Sequence, residues 1–348
     1  MTEHASGISL GLDTFGDVSI GPDGRPLHHA QVLRNVVEQA ALADRLGVDA
    51  ITVGEHHRDD FAISSPEVLL GAIAGRTERI LLGTGVTVLS SDDPVRLYQR
   101  FATLDGVSGG RAEVILGRGS FTESFPLFGY DLADYESLFT EKLELFAKLR
   151  AEGPVTWSGR HRSPLVEQEV FPKTEQPDGV RAWIGVGGSP HSVVRAVQAG
   201  IPMMLAIIGG DPRRFLPYVD LYRRTQQELD RDPMPLGMHS PGHVAETDRE
   251  ARDQLWEHFA ANRNRIGAER GWPKTTRFEF EAEASEGSLY VGSPETVAQK
   301  IAHAVRDLGV DRFDLKYANG TMPHEQLMSS IELYATEVIP RVRALLAE

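Results

Sequence analysis

The 348-residue chain contains no cysteine. Disulfides, thiolate zinc sites, iron–sulfur clusters and a cysteine nucleophile are thereby excluded together. Positive charge is also scarce, with 36 Lys and Arg against 50 Asp and Glu and a net charge of −14. No basic cluster stands out, so neither nucleic acid nor an anionic membrane surface is an expected partner. No apolar run approaches the length of a membrane span. The opening Met-Thr-Glu-His-Ala-Ser-Gly lacks the basic and apolar regions of a signal peptide, which makes a cytoplasmic location the expectation. Zincin spacing, two histidines four apart on a helix, does not occur, and no metal site is expected. No short-period repeat or low-complexity tract appears.

What is present is 41% hydrophobic residues arranged as short apolar runs alternating with helical periodicities. Ile8 to Phe15 reads as a strand carrying Asp13, Thr14 and Phe15 at its end. A helix from His29 follows, with Val32, Leu33, Val36, Val37, Ala40 and Ala41 on one face and Gly47 as its stop. Asp49 to Gly54 is the next strand, and such a βαβ unit demands a parallel sheet with a right-handed crossover. The alternation continues through strands at Ile80 to Leu89, Ala112 to Leu116, Ala182 to Val186, Ile201 to Ile208, within Pro233 to Ala245, and Arg312 to Tyr317. Between them helices open at Ser65-Pro66, Asp93-Pro94, Asp134, Ser189, a Thr247–Glu250 capping box and Ser293-Pro294. Met322 to Ala347 closes the chain helically. About eight strand–helix pairs predict an α/β fold, a (β/α)8 TIM barrel forming a single domain over residues 1–348. Residues 153–180 and 267–292, broken by proline and glycine, read as irregular insertions at its C-terminal face.

Chemistry is done at that face, and the strand ends there carry more than structure needs. Glu55, His56 and His57 follow the run Ala50-Ile51-Thr52-Val53. Alternation directs Glu55 and His57 one way and His56 the other, so one metal would gain at most two of them. An acid/base pair, a metal site and a merely polar strand end are the readings open at this point. Gly117-Arg118-Gly119 combines room for close approach with a guanidinium suited to phosphate. Gly187, Gly188, Ser189 and Ser192 follow the fifth strand and open a helix, which can form an anion site or an ordinary capped turn. Neither a Walker lysine pattern nor Gly-x-Gly-x-x-Gly stands at these positions. A phosphorylated cofactor lying across the mouth fits the two anion signals.

Taken in order, Gly54-Glu55-His56-His57, Gly83-Thr84-Gly85-Val86 with Asp93-Pro94-Val95-Arg96, Gly109-Gly110-Arg111, Gly117-Arg118-Gly119, Ser189 to Ser192, Gly200-Ile201-Pro202-Met203 and Gly292-Ser293-Pro294-Glu295-Thr296-Val297 resemble the bacterial luciferase-like, flavin-dependent monooxygenases and oxidoreductases. The resemblance covers nearly the whole chain. It implies a barrel that binds flavin mononucleotide (FMN) at the C-terminal face, usually as a homodimer. By position, His56 lies beside the reactive edge of the flavin with Glu55 and His57 as its support. Thr84, Gly85 and Val86 form a ledge under the ring, with Gly85–Val86 as a cis peptide. Arg118, Gly188, Ser189 and Ser192, in turns that also contain Gly117 and Gly187, hold the phosphate. Gly117 stands where the light-emitting luciferase subunit has cysteine, Gly188 replaces an acidic residue, and Ser90-Ser91-Asp92 replaces a Pro and a His, so light emission is not expected.

The activity so implied is a two-component monooxygenase. A separate NAD(P)H:flavin reductase supplies reduced FMN, and dioxygen and a small organic substrate are consumed. Hydride transfer with a deazaflavin coenzyme, for which Arg118, Arg58 and Lys316 offer positive charge, is the alternative. A noncatalytic flavin-binding subunit and a metal-dependent hydrolase are further alternatives. Phe15, Phe61, Phe121, Phe125, Phe128 and Trp183 suggest an apolar or aromatic substrate.

Overall fold

The computed structural model describes residues 7–347. Its centre is a closed parallel barrel of β1 (Ser9–Thr14), β2 (Ala50–Val53), β3 (Leu81–Val88), β4 (Glu113–Gly117), β5 (Arg181–Val186), β6 (Met203–Ala206), β7 (Leu236–Val244) and β8 (Arg312–Lys316). Each strand pairs with the next, β6 pairs with β7, and β8 pairs with both β7 and β1, which closes the ring. The expected TIM barrel is therefore the fold.

Around it lie α1 (His29–Leu46), α2 (Pro66–Ala74), α3 (Pro94–Ser108), α4 (Tyr135–Arg150), α5 (Pro190–Ala199), α6 (Leu216–Glu228), α7 (Pro294–Leu308) and α8 (His324–Leu333). Their ends follow local chemistry. The Asp93 carboxylate accepts from the Val95 and Arg96 amides and Pro94 occupies the first turn of α3, while Gly109 ends that helix at φ 67°. β2 is buried on both faces because helices cover the outside of the barrel and other strands fill its inside.

The barrel interior is polar at its N-terminal end. Arg312 meets Glu113 at 2.6 Å and Asp314 at 2.9 Å, all three buried. Burial raises the Asp314 carboxyl to about 6 despite the neighbouring guanidinium. Glycines make room for these groups: a Cβ on Gly11 would lie 2.2 Å from Asp314 Oδ1, and one on Gly83 2.8 Å from Glu113 Cγ.

The two insertions are more ordered than their composition suggests. Residues 153–180 contain an antiparallel hairpin, Val155–Trp157 with Leu165–Gln168. Because the insertion follows a helix it is rooted at the N-terminal side, where Gln176 donates to Ala112 O and Asp105. Only its tip reaches the C-terminal face, where Arg162 donates to Asp93 at 2.8 Å. In the second stretch a long helix, Asp248–Arg270, runs through Gly267 to a left-handed Gly271. Arg277–Ser285 is a further helix, opened by a reciprocal capping box between Thr276 and Glu279. Tyr290–Gly292 then pairs in parallel with β7. The Thr247–Glu250 box is only half made, since Thr247 caps the Glu250 amide while the Glu250 carboxylate accepts from Gln254.

Candidate active site

The end of β2 separates the three neighbouring ionisable groups as strand alternation requires. Glu55 and His57 turn together, with His57 Nε2 and Glu55 Oε1 2.9 Å apart. The other Glu55 oxygen accepts from the Val88 amide at 2.8 Å, so this one carboxylate ties the β2 loop to the end of β3. His56 turns the other way into an aromatic recess. Its ring stacks on Phe61 at 4.6 Å and meets the edges of Phe15 at 4.8 Å and Phe121 at 5.2 Å. Its Nδ1 lies 3.8 Å from Glu123 Oε1. Burial pushes the Glu123 carboxyl up, but hydrogen bonding to His56 and to the backbone outweighs this and leaves it below its ordinary range.

Beside this recess β3 makes an irregular step between Gly85 and Thr87, and the Gly85–Val86 peptide is cis. The Val86 side chain lies across the ends of β4 and β5. A Cβ on Gly117 would sit 2.4 Å from Val86 Cγ2, and one on Gly185 would sit 3.1 Å from Val86 Cγ1. Gly117 is thus small because Val86 occupies its space, a reason different from the ligand approach expected for it. Thr84 is fully buried and its hydroxyl accepts from Thr87, so it underlies the ledge, and only Gly85 and Val86 are partly exposed there.

On the far side of the ledge, Gly187 is exposed and Gly188 has φ 107°, a conformation that favours glycine. They lead into Ser189 and α5, whose N-cap Ser189 makes no side-chain capping bond. Ser192 is buried one turn on. Arg118 and Arg195, from the β4 loop and α5, converge on Glu136; Arg195 lies 3.0 Å from it. Burial raises the Glu136 carboxyl, yet Arg195 and Arg118 together hold it below its ordinary range. One Arg195 nitrogen, NH1, is buried without a partner among the described residues. Two arginines gathered by one half-exposed carboxylate and an uncapped helix N-terminus could together hold a phosphate monoester if Glu136 yields its place.

Other expected groups scatter. Phe128 meets His57 edge-on at 5.0 Å, whereas Phe125 is buried against Tyr135 and Trp183 lies lower in the barrel over Arg312. Arg58 and Lys316, expected to be available for a polyanionic tail, are already paired. Arg58 binds Asp60 and Glu269, and Lys316 binds Asp17 at 3.1 Å. Glu123, Arg195 and an interior pair, Asp13 with His239, were not anticipated. Glu123 and Arg195 sit close in sequence to recognised motifs, Gly117-Arg118-Gly119 and Ser189 to Ser192, and that proximity is the signal that could have found them. Among the described residues no three His, Asp or Glu side chains converge as metal ligands.

Comparison with known proteins gives a consistent result. Residues 15–312 match the family described as luciferase-like monooxygenase. The 4-hydroxyprotoasukamycin monooxygenase of Streptomyces nodosus subsp. asukaensis is 29% identical over 329 residues, covering 88% of this chain and 85% of that protein. Among solved structures, the monooxygenase RslO1 from Streptomyces bottropensis superposes with TM-score 0.81 and 26% identity over 96% of this chain and 99% of that one. Two less similar structures share the fold. The oxygenating constituent of 3,6-diketocamphane monooxygenase from Pseudomonas putida, in complex with FMN, has TM-score 0.77 and 18% identity over 97% of this chain and 99% of that one. The coenzyme F420-dependent tetrahydromethanopterin reductase of Methanopyrus kandleri has TM-score 0.71 and 19% identity over 97% of this chain and 100% of that one.

Proposed function

Because this chain belongs to the luciferase-like monooxygenase family, we propose that it is the oxygenating component of a two-component system, using reduced FMN from a separate NAD(P)H:flavin reductase and dioxygen to oxygenate a small organic substrate. The observation that carries the reading is that one barrel mouth contains both the Arg118–Arg195 cradle at the α5 N-terminus and the His56 recess, with the Val86 ledge between them. In this reading Arg118, Arg195, Gly188, Ser189 and Ser192 hold the phosphate, and Gly85 and Val86 support the ring, with Thr84 buried beneath them. Bound reduced FMN supplies the electrons that activate dioxygen.

The chain's own part is to hold protons and exclude water. Phe15, Phe61 and Phe121 wall His56 on three sides, which keeps bulk water from the reacting face. His56 donates or accepts the proton at the reacting oxygen, with Glu123 beside its Nδ1. Glu55 fixes His57 and the β3 end together, so that pair positions the loop from which His56 projects.

Deazaflavin chemistry is the second reading, and the fold shared with an F420-dependent reductase supports it. The pairing of Arg58 with Asp60 and Glu269 and of Lys316 with Asp17 favours FMN, whose single phosphate asks for fewer cations. Retention of His56 with an acidic partner argues against a noncatalytic subunit. A homodimer is supported by α2, whose outer face presents Val68 at 75% exposure with Gly71, Ala72 and Gly75. Replacement of His56 by Asn tests the assignment: oxygenation falls by about 10²–10⁴-fold while FMN still binds. Full activity in that variant would remove His56 from the mechanism.

A further inference from the structure

Inside the barrel, His239 on β7 and Asp13 on β1 face each other, with His239 Nδ1 and Asp13 Oδ2 3.1 Å apart. Asp13 is 1% exposed and its other oxygen accepts from the Thr52 hydroxyl at 3.0 Å. In the tautomer whose Nδ1–H donates to this carboxylate, Nε2 carries a free lone pair. Nε2 has no hydrogen-bond partner among the described residues, and the His239 side chain is 14% exposed. The N-terminal end of the barrel is closed by the buried Arg312, Glu113 and Asp314, and Met204 fills the space beside Gly237, two residues earlier on β7. The exposed edge of an inward-facing His239 accordingly opens to the C-terminal mouth. Asp13 also borders the ledge, since a Cβ on Gly85 would lie 2.9 Å from Asp13 Oδ1.

A second histidine shows what a structural role looks like in this chain. His243, four residues along β7, is completely buried and its Nε2 is 2.7 Å from Gln254 Oε1. Its far edge is covered by protein. The His243 Nδ1 also lacks a partner among the described residues, but it is sealed in protein, whereas His239 is partly exposed and backed by a fixed anion.

We propose that the Asp13–His239 pair is a substrate-binding base whose Nε2 receives the proton of an acidic hydroxyl, so that the substrate class is phenols or enols. The O–H bond of the substrate breaks and an N–H bond forms at Nε2. The electron pair remains on the substrate oxygen as phenolate or enolate, and the imidazolium is balanced by the Asp13 carboxylate. The inference rests on the proposed function only in taking the barrel mouth as the substrate site.

The test is a titration of purified protein, with and without FMN, using 4-nitrophenol and its methyl ether 4-nitroanisole, read at a pH below the pKa of free 4-nitrophenol. The expected result is a phenolate absorbance on binding and a preference for the phenol of about tenfold. His239→Asn retains an amide to face Asp13 but loses the ring acceptor. It is expected to abolish the phenolate signal and bring the two affinities within about twofold, with FMN affinity unchanged. Asp13→Asn, a second variant of the same shape, is expected to lose the signal as well. Equal binding of the two probes to the unaltered protein, binding of neither, or a phenolate signal that survives in both variants would overturn the proposal. Failure of FMN to bind would count against the proposed function alone, because the phenol titration is also read without it.

Discussion

Glu123 sits at the junction of the two histidine arms, 3.8 Å from His56 Nδ1 and 3.5 Å from the His57 amide. Its replacement by Gln removes the charge and keeps the shape. Turnover is expected to fall about tenfold with a shifted pH–rate profile and an unaltered fold, measured by steady-state kinetics and circular dichroism. His243 makes a prediction about stability. Burial lowers its pKa to about 4 from an ordinary 6.5. Between those values the unfolded chain binds the proton and the folded chain does not. The stability of the neutral buried ring is thus complete above pH 6.5 and is lost as pH falls toward 4. In urea denaturation, the stability difference between the natural protein and His243→Asn should narrow by about 3 kcal/mol from pH 7 to pH 4. A constant difference across that range would show that His243 is not desolvated.

At this scale the sequence exposes what is contiguous and hides what is assembled. Glu55, His56 and His57 are adjacent after an apolar strand, and alternation alone predicts their divergence. Glu123 meets them from a different βα loop, 66 residues on. Asp13 and His239 are 226 residues apart and meet only because the barrel closes. Neither spacing nor composition encodes such a meeting. Gly117 was legible as a special glycine, but its reason, the Val86 side chain, required the packing.

At the scale of elements, the ledge and the clasp over it carry the predictions. Gly117→Ala places a methyl where Val86 already lies, 2.4 Å from Cγ2. Overpacking of this kind costs about 1–3 kcal/mol and displaces the ledge, so both thermal stability and FMN affinity should fall. An affinity unchanged beside a lowered melting temperature would separate the ledge from the cofactor. The long helix Asp248–Arg270 is held over the mouth by Arg58, whose two terminal nitrogens meet Glu269 at 2.7 and 2.6 Å. Arg58 and Arg270 both stand 4.7 Å from the centre of the Phe121 ring, on the wall of the His56 recess. Arg58→Ala is expected to speed hydrogen exchange in residues 262–276 and to lower kcat/KM several-fold, with global stability changed by about 1 kcal/mol or less. The Thr276–Glu279 capping box was present in the sequence as a start signal. Gly267, Gly271 and Pro273 around it obscured the pattern, because the preceding helix tolerates Gly267 where Trp272 packs against it.

For the molecule as a whole, alternating strands and helices made the barrel legible, since each buried strand and each one-sided helix has only one kind of place in it. Assembly is less legible, and the proposed dimer rests on the exposed Val68, Gly71 and Ala72 of α2. Val68→Glu should convert the proposed dimer to monomers in light scattering, leaving the fold intact. The most direct test of the central claim is a pair of anaerobic titrations with reduced FMN and reduced deazaflavin, each followed by mixing with dioxygen. Micromolar or tighter binding of reduced FMN, weaker binding of the deazaflavin and consumption of dioxygen by the FMN complex are the predicted results. Preferential binding of the deazaflavin with no dioxygen consumption would contradict the account and assign the barrel to hydride transfer.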